Sequence, residues 1–542
     1  MANDVFIKNG MVTDGTGSPA IRADVIIKGE RIEDVGLFPD ARASKVIDVK
    51  GLVVAPGFID CHTHLDFFIP SPRHPDVLES YAHQGVTTFV AGNCGWSPAP
   101  INHDFEDTFS TYWNFALPHD GLKYEWSTMG EYLDYLERNG QAFNVAILTG
   151  HNSLRTNVMG FQARFASPKE INGMKKMLKE SLDGGSIGLS LGLYYCPGIF
   201  SNTDEIMDLA SVMTEFKAPL VPHTRGLSGT YDKAVEEVIK IAEENKIPLH
   251  ISHHASFGAQ VRARAIKAIN EAMDRGVEIG HDNIPWFTGS TTFLSLLPPW
   301  LFDGGFDGFF RRIQDPEVRK IAVHELKNHV PTWPTWENRW WTDKFFTLDT
   351  RLSGFRKEEN RRFEFMSIKE IAKEINKDPY DTAFDLIIQE RGKLFSTSGF
   401  FDDPKYDEHS ARLLSDPNCS IISDIIGADL KTPNPVAYGA FTKVLGLFVR
   451  DMGVMTMEEA VRKMTSLPAK QMRLKDRGIL KKGSFADVTV FNPKTVNNRA
   501  SFSNPYRLSE GIEHLLINGQ VVLEKGRYGP DLLAGKVIRR ML

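Results

Sequence analysis

Two patterns of apolar and polar positions alternate along the chain. The first 55 residues hold short β-branched runs, Val5-Phe6-Ile7, Asp24-Val25-Ile26-Ile27, Arg31-Ile32-Glu33-Asp34-Val35 and Lys45-Val46-Ile47-Asp48, separated by turn residues such as Asn9-Gly10 and Lys28-Gly29. Asp487-Val488-Thr489-Val490-Phe491 and His514-Leu515-Leu516-Ile517-Asn518-Gly519 repeat this strand pattern near the other end. Both ends therefore read as halves of one small β domain, here expected as a β-sandwich. Between them, apolar runs of four to six residues occur at 57–61, 87–91, 144–148, 186–191, 220–223, 249–253, 277–281 and 420–424. Helical periodicity separates most of these runs, for example at 169–182, 203–216 and 233–245. Eight strand–helix repeats of this size predict an α/β fold, a (β/α)8 TIM-like barrel. The expected division is 1–55 and 479–542 for the β domain and 56–478 for the barrel, with an inserted lid at about 302–400. That insert carries Trp333, Trp336, Trp340 and Trp341, with Trp300 just before it, and is too long for one crossover.

Composition narrows the class. The chain has 542 residues, 42% hydrophobic and 24% charged, which excludes disorder and supplies a large core. A net charge of −6 gives no general attraction to nucleic acid or to an anionic membrane. The four cysteines, Cys61, Cys94, Cys196 and Cys419, form no Cys-x-x-Cys pair and no disulfide framework. The N-terminus lacks a basic region followed by an apolar run, and no uninterrupted apolar stretch of about 18 residues occurs. These features make a reducing, cytoplasmic setting the expectation, with no membrane partner.

The candidate chemistry lies where the predicted strands end. In Gly57-Phe58-Ile59-Asp60-Cys61-His62-Thr63-His64, the two histidines are two residues apart, so both point to one face at the rim where barrel enzymes keep their sites. Cys94 lies among glycines just past strand two, and His223 ends strand five. His253 terminates the apolar run of strand six, with His254 as its competitor. By alternation, His253 points away from both His250 and His254. Asp424 closes strand eight, where a carboxylate needs a charge partner. Nitrogen and sulfur donors of this kind favour Zn2+ over Mg2+ or Ca2+, as one ion or two. Zinc lowers the pKa of a bound water to about 7. Asp424 would then act as general base and acid while that water attacks a carbonyl.

With these residues in place, the chain resembles the amidohydrolase superfamily, and within it the N-acyl-D-amino-acid deacylase (D-aminoacylase) family. The resemblance runs through Ala55-Pro56-Gly57-Phe58-Ile59-Asp60-Cys61-His62-Thr63-His64, Gly92-Asn93-Cys94-Gly95, Leu148-Thr149-Gly150-His151-Asn152-Ser153, Gly192-Leu193-Tyr194-Tyr195-Cys196-Pro197-Gly198, Ile251-Ser252-His253-His254 and Asp476-Arg477-Gly478. It implies hydrolysis of an acyl–nitrogen bond in a small-molecule amide. It also implies Cys94, His223 and His253 as principal zinc ligands, His62 and His64 at a second metal position, and Asp424 as the catalytic carboxylate. Tyr195 matches a substrate-contacting tyrosine, and His151 and Trp286 join it as candidate substrate-binding residues. Strand four contains no lysine to bridge two metals, which leaves Cys94 as the substitute bridge.

The chain departs from the family where a substrate carboxylate would be held. Ala255 stands where a lysine is typical, and Val436 where an arginine is typical. Arg225, Arg164 and Arg351 are candidate replacements, while Trp96, Trp286, Phe287, Trp300 and the insert tryptophans give an aromatic flavour. A less charged or aromatic amide is the expected substrate. The competing expectations are a cyclic amide, lactone or deamination substrate on the same barrel, and a barrel without catalysis that serves as a binding scaffold.

Overall fold

The structure is a computed structural model that describes residues 3–113, 117–118, 121–227, 229–254, 259–328, 347–399, 403–426 and 434–540. Ala255 and Trp333, Trp336, Trp340 and Trp341 lie outside the described residues.

Eight parallel strand positions close on themselves. Phe58–Asp60 pairs with Val86–Ala91, which pairs with Asn144–Ile147. That third strand continues as Thr149–Gly150 beside Leu189–Gly192, followed in order by Leu220–His223, Leu249–Ile251, Ile279–Asn283 and Cys419–Ile421. The circle closes where Ile425–Ile426, just past the eighth strand, pairs in parallel with Thr63–His64, just past the first. Every strand position lies within a few residues of its predicted run. The strands are buried throughout, as expected when helices cover the outside of a parallel barrel.

The helices form from local signals. Pro168–Asp183 begins at Ser167, whose hydroxyl and Glu170 make a reciprocal capping box, with proline at the first helical position. Its buried Met174, Leu178 and Leu182, spaced four apart, form the stripe that packs on the barrel. Thr203–Met213 starts at Asn202, whose side chain accepts the Glu205 N–H, and the buried faces of this helix and of Tyr231–Asn245 join the strand side chains Leu189, Leu191, Leu220 and Leu249 in one core.

Strands from both ends of the chain belong to one nine-stranded sheet. Val53–Pro56 is the seam: it pairs in parallel with Asn3–Val12 and antiparallel with Val488–Phe491. Val5, Ile7, Val25, Ile27, Val54, Val488, Val490 and Leu516 share the core of this sheet. The seam strand runs into the first barrel strand through Gly57. A Cβ at Gly57 would lie 2.2 Å from the Thr87 hydroxyl, so only glycine allows the two strands this close. Between the seventh and eighth barrel strands, Thr288–Thr292, Phe395–Gly399 and Arg351–Ser353 form a small antiparallel sheet. No helix among the described residues is long and apolar enough to cross a membrane.

Candidate metal centre and substrate cavity

The barrel brings the five predicted ligands together around the Cys94 sulfur. His62 Nε2 and His223 Nδ1 each lie 3.4 Å from it, and His253 Nε2 lies 3.6 Å away. The donor atoms form two groups that share Cys94, one with His62 and His64 and the other with His223 and His253. Asp424 completes the cluster, its Oδ1 3.4 Å from His64 Nε2 and 3.6 Å from His62 Nε2.

Backbone geometry past the strand ends aims these side chains. Cys94, His253 and Asp424 have φ values of 51°, 32° and 51°, in the left-handed region that side chains seldom adopt. The Cys94 loop is pinned from strand four, where Ser190 Oγ accepts the Gly95 N–H at 3.1 Å and donates to the Gly92 carbonyl. A Cβ on Gly192 would lie 2.0 Å from the Cys94 carbonyl oxygen, so this approach requires glycine.

The donor set fits a tetrahedral zinc ion. Zinc–sulfur and zinc–nitrogen bonds of about 2.3 and 2.1 Å place neighbouring donors about 3.6 Å apart. The observed sulfur–nitrogen separations of 3.4–3.6 Å match that spacing. His223 Nε2 and His64 Nδ1 are buried without a hydrogen-bond partner. Burial alone would raise the Cys94 thiol, but the surrounding imidazoles, His62 foremost, hold it well below its ordinary range, as a ligating thiolate requires. Burial, with His253 alongside, lowers His223 to about 4, so its imidazole is neutral and its lone pair available.

A cavity of about 150 Å3 opens over this cluster. Its lining includes His64, Cys94, His223, His253 and Asp424, and also Trp96, Trp113, Tyr195, Trp286 and Phe287. Thr288, Ser290, Ser396 and Ser398 of the small antiparallel sheet contribute hydroxyl-bearing residues to the lining. Burial, then the Cys94 charge, pushes the Tyr195 phenol well above its ordinary value, so it remains an O–H donor.

Several expectations need correction. His151 does not line the cavity. It is fully buried, and its Nε2 meets Glu205 Oε1 at 2.9 Å, with Arg155 on the other oxygen of the same carboxylate. A histidine held this way ties the start of one helix to the helix Thr203–Met213. Trp300 is also absent from the lining, its indole N–H donating to Glu325 at 2.7 Å. Alternation misplaced His250. The sixth strand stops at Ile251, and the turn at His253 brings its ring inward, so His250 and His253 both face the interior. His254 is the one that turns away, its Nδ1 2.5 Å from the Tyr231 hydroxyl. None of the three candidate arginines reaches the cavity: Arg225 is bound to Glu237, Arg164 to Glu170, and Arg351 to the Phe365 carbonyl.

Two buried carboxylates beneath the site carried no weight in the sequence pattern. Asp60 accepts from Tyr81 at 2.8 Å and from Ser423 Oγ at 2.5 Å, which anchors the turn that presents Asp424. Burial raises Asp60 to about 6 against these hydrogen bonds. Asp282 lies under the histidines. The available signal was a charged residue within or just past an apolar strand, which burial makes costly without partners.

Comparison with known proteins agrees with this geometry. The amidohydrolase family matches residues 45–299 and 392–523. The chain belongs to the amidohydrolase family. It is 31% identical over 539 residues to a D-aminoacylase of Alcaligenes xylosoxydans xylosoxydans, spanning 99% of this chain and 98% of that protein. It is 32% identical over 546 residues to an N-acyl-D-glutamate deacylase of the same organism, spanning 99% of this chain and 96% of the relative. Among solved structures, an N-acyl-D-glutamate deacylase from Bordetella bronchiseptica superposes with a TM-score of 0.79 at 28% identity, covering 99% of this chain and 100% of that one. That enzyme was crystallised with zinc and a phosphonate that mimics the tetrahedral intermediate.

Proposed function

We propose that this amidohydrolase is a zinc-dependent hydrolase of acyl–nitrogen bonds, similar to the N-acyl-D-amino-acid deacylases. The observation that carries this is the convergence of three imidazoles on one cysteine sulfur, with Asp424 beside them, at the floor of a cavity. Cys94, His223 and His253 would hold the principal ion, and His62 and His64 a second that shares Cys94. Bound zinc supplies Lewis acidity to a carbonyl oxygen and lowers the pKa of a water to about 7. Asp424 takes a proton from the attacking water and delivers it to the leaving nitrogen. The Tyr195 hydroxyl donates a hydrogen bond to the substrate, and Trp286 supplies an apolar wall.

The substrate in this proposal is a neutral or aromatic amide. No lysine or arginine lines the cavity among the described residues. A substrate carboxylate would lose charge-assisted contacts of about 1.5–3 kcal/mol each. Lys443 does not line the cavity: its Nζ lies over the ring of Trp286, a lining residue, at 4.2 Å and is paired with Asp407 at 2.6 Å. A hydrolysis panel of the zinc-loaded protein tests this, using neutral anilides, N-acyl-D- and N-acyl-L-amino acids, cyclic amides and lactones. Neutral linear amides should give the highest kcat/KM. Strong preference for N-acyl-D-amino acids would defeat the substrate proposal and leave the chemistry standing. Turnover confined to cyclic substrates would replace the linear-amide assignment.

The proposed division into 1–55 and 479–542 against 56–478 is supported by the shared sheet, and the insert at about 302–400 by the family match, which omits 300–391. The four cysteines are buried and form no disulfide, in keeping with a reducing compartment such as the cytoplasm.

A further inference from the structure

We propose that Asp282 is a positioning residue that orients His62 and His253, one member of each ligand group, from beneath the cavity floor. The proposal rests on the metal-binding assignment above. Asp282 is fully buried at the inner face of the seventh barrel strand. Its Oδ1 accepts the backbone N–H of His253 at 2.5 Å. That amide belongs to the residue whose φ of 32° swings the imidazole inward, so the hydrogen bond stabilises the turn that makes His253 available. Its Oδ2 lies 3.5 Å from His62 Nδ1 and accepts from His250 Nε2 at 2.7 Å.

The consequence for His62 is chemical. A carboxylate facing Nδ1 selects the tautomer with the proton on Nδ1, which leaves the Nε2 lone pair directed at the metal position. Nε2 is the atom 3.4 Å from Cys94 and 3.6 Å from Asp424. His250 supplies the second hydrogen bond to this carboxylate, while His62 Nδ1 faces it at 3.5 Å without a hydrogen-bond partner of its own. Two hydrogen bonds, from the His253 amide and His250 Nε2, and the 3.5 Å approach of His62 Nδ1 thus fall on two carboxylate oxygens. An asparagine has one acceptor oxygen, so its amide group must confront either the His253 N–H or the two imidazole N–H groups.

Asp282→Asn is therefore expected to weaken zinc binding 10- to 100-fold, measured by competition with a chromophoric chelator. Glu205→Gln is the control: it removes another buried carboxylate, one that does not line the cavity, and should lower thermal stability while leaving zinc affinity unchanged. Zinc affinity in Asp282→Asn within twofold of the parent, with a stability loss like that of the control, would reduce Asp282 to a structural role. Loss of a third zinc equivalent would also overturn the proposal, since Cys61, His250 and Asp282 would then themselves hold an ion. Should the variant fail to fold, 15N NMR of the zinc-loaded parent decides: His62 should carry its proton on Nδ1, and an Nε2-protonated ring would refute the proposal. A parent that binds no zinc sinks the metal-binding assignment and this proposal together, whereas an unaffected variant of a zinc-binding parent sinks this one alone.

Discussion

Replacing Asp424 with asparagine is the most direct test of the proposed chemistry. The substitution keeps side-chain size and one oxygen, so the cavity floor should retain its shape. What it removes is a group able to accept a proton. In the structure the carboxylate is 21% exposed, its Oδ1 lies 3.4 Å from His64 Nε2, and it lines the cavity. It is thus placed to meet both the water and the leaving nitrogen. A positioned acid–base contributes about 10²–10⁴-fold, or about 3–5 kcal/mol of barrier. The assay is steady-state kinetics on the best substrate of the panel, with zinc measured on the same samples. We expect kcat and kcat/KM to fall together by about that factor at unchanged zinc content, the pattern of an interaction made in the transition state. A loss below threefold at equal zinc would remove Asp424 as the proton carrier. A loss accounted for by missing zinc would make it a ligand instead.

The other predictions address the ligands, the pocket and the fold. Cys94→Ala removes the sulfur common to both ligand groups and should sharply lower zinc content by elemental analysis; an unaltered stoichiometry would exclude Cys94 as a ligand. Trp286→Ala should unveil Lys443 and shift the kcat/KM ratio at least about tenfold toward substrates bearing a carboxylate, the size of one charge-assisted hydrogen bond; an unchanged ratio would refute the screening role of the indole. Glu205 is held at about 2, below its ordinary 4.5, because His151 and Arg155 outweigh the burial that would raise it. Its contribution, about 3 kcal/mol, is therefore complete above pH of about 4.5 and is lost as pH falls toward 2. Thermal unfolding between pH 5 and 2.5 should show a steeper loss of stability in the parent than in Glu205→Gln, and parallel curves would contradict the assignment.

Much of this architecture is written in local pattern. Apolar runs with intervening helical periodicity locate the barrel strands to within a few residues, because strand and helix periods and capping residues such as Ser167 are short-range properties. The ligand types and their placement at strand ends are also legible, since His62, His64, Cys94, His223, His253 and Asp424 each follow an apolar run. Tertiary structure decides what short-range pattern cannot. Alternation holds only while a strand continues, so the inward turn of His253 and the outward turn of His254 depend on a left-handed backbone position past Ile251. His151 is claimed by Glu205, 54 residues away, and its role follows from that long-range ion pair. Asp60 and Asp282 acquire meaning only when barrel closure brings Ser423, His62 and His253 against them. Sequence alone determines which donors exist and near which strand ends they fall. The closed ring of strands decides which donors meet, because only there do distant segments come within bonding distance and bury the charges that must be paired.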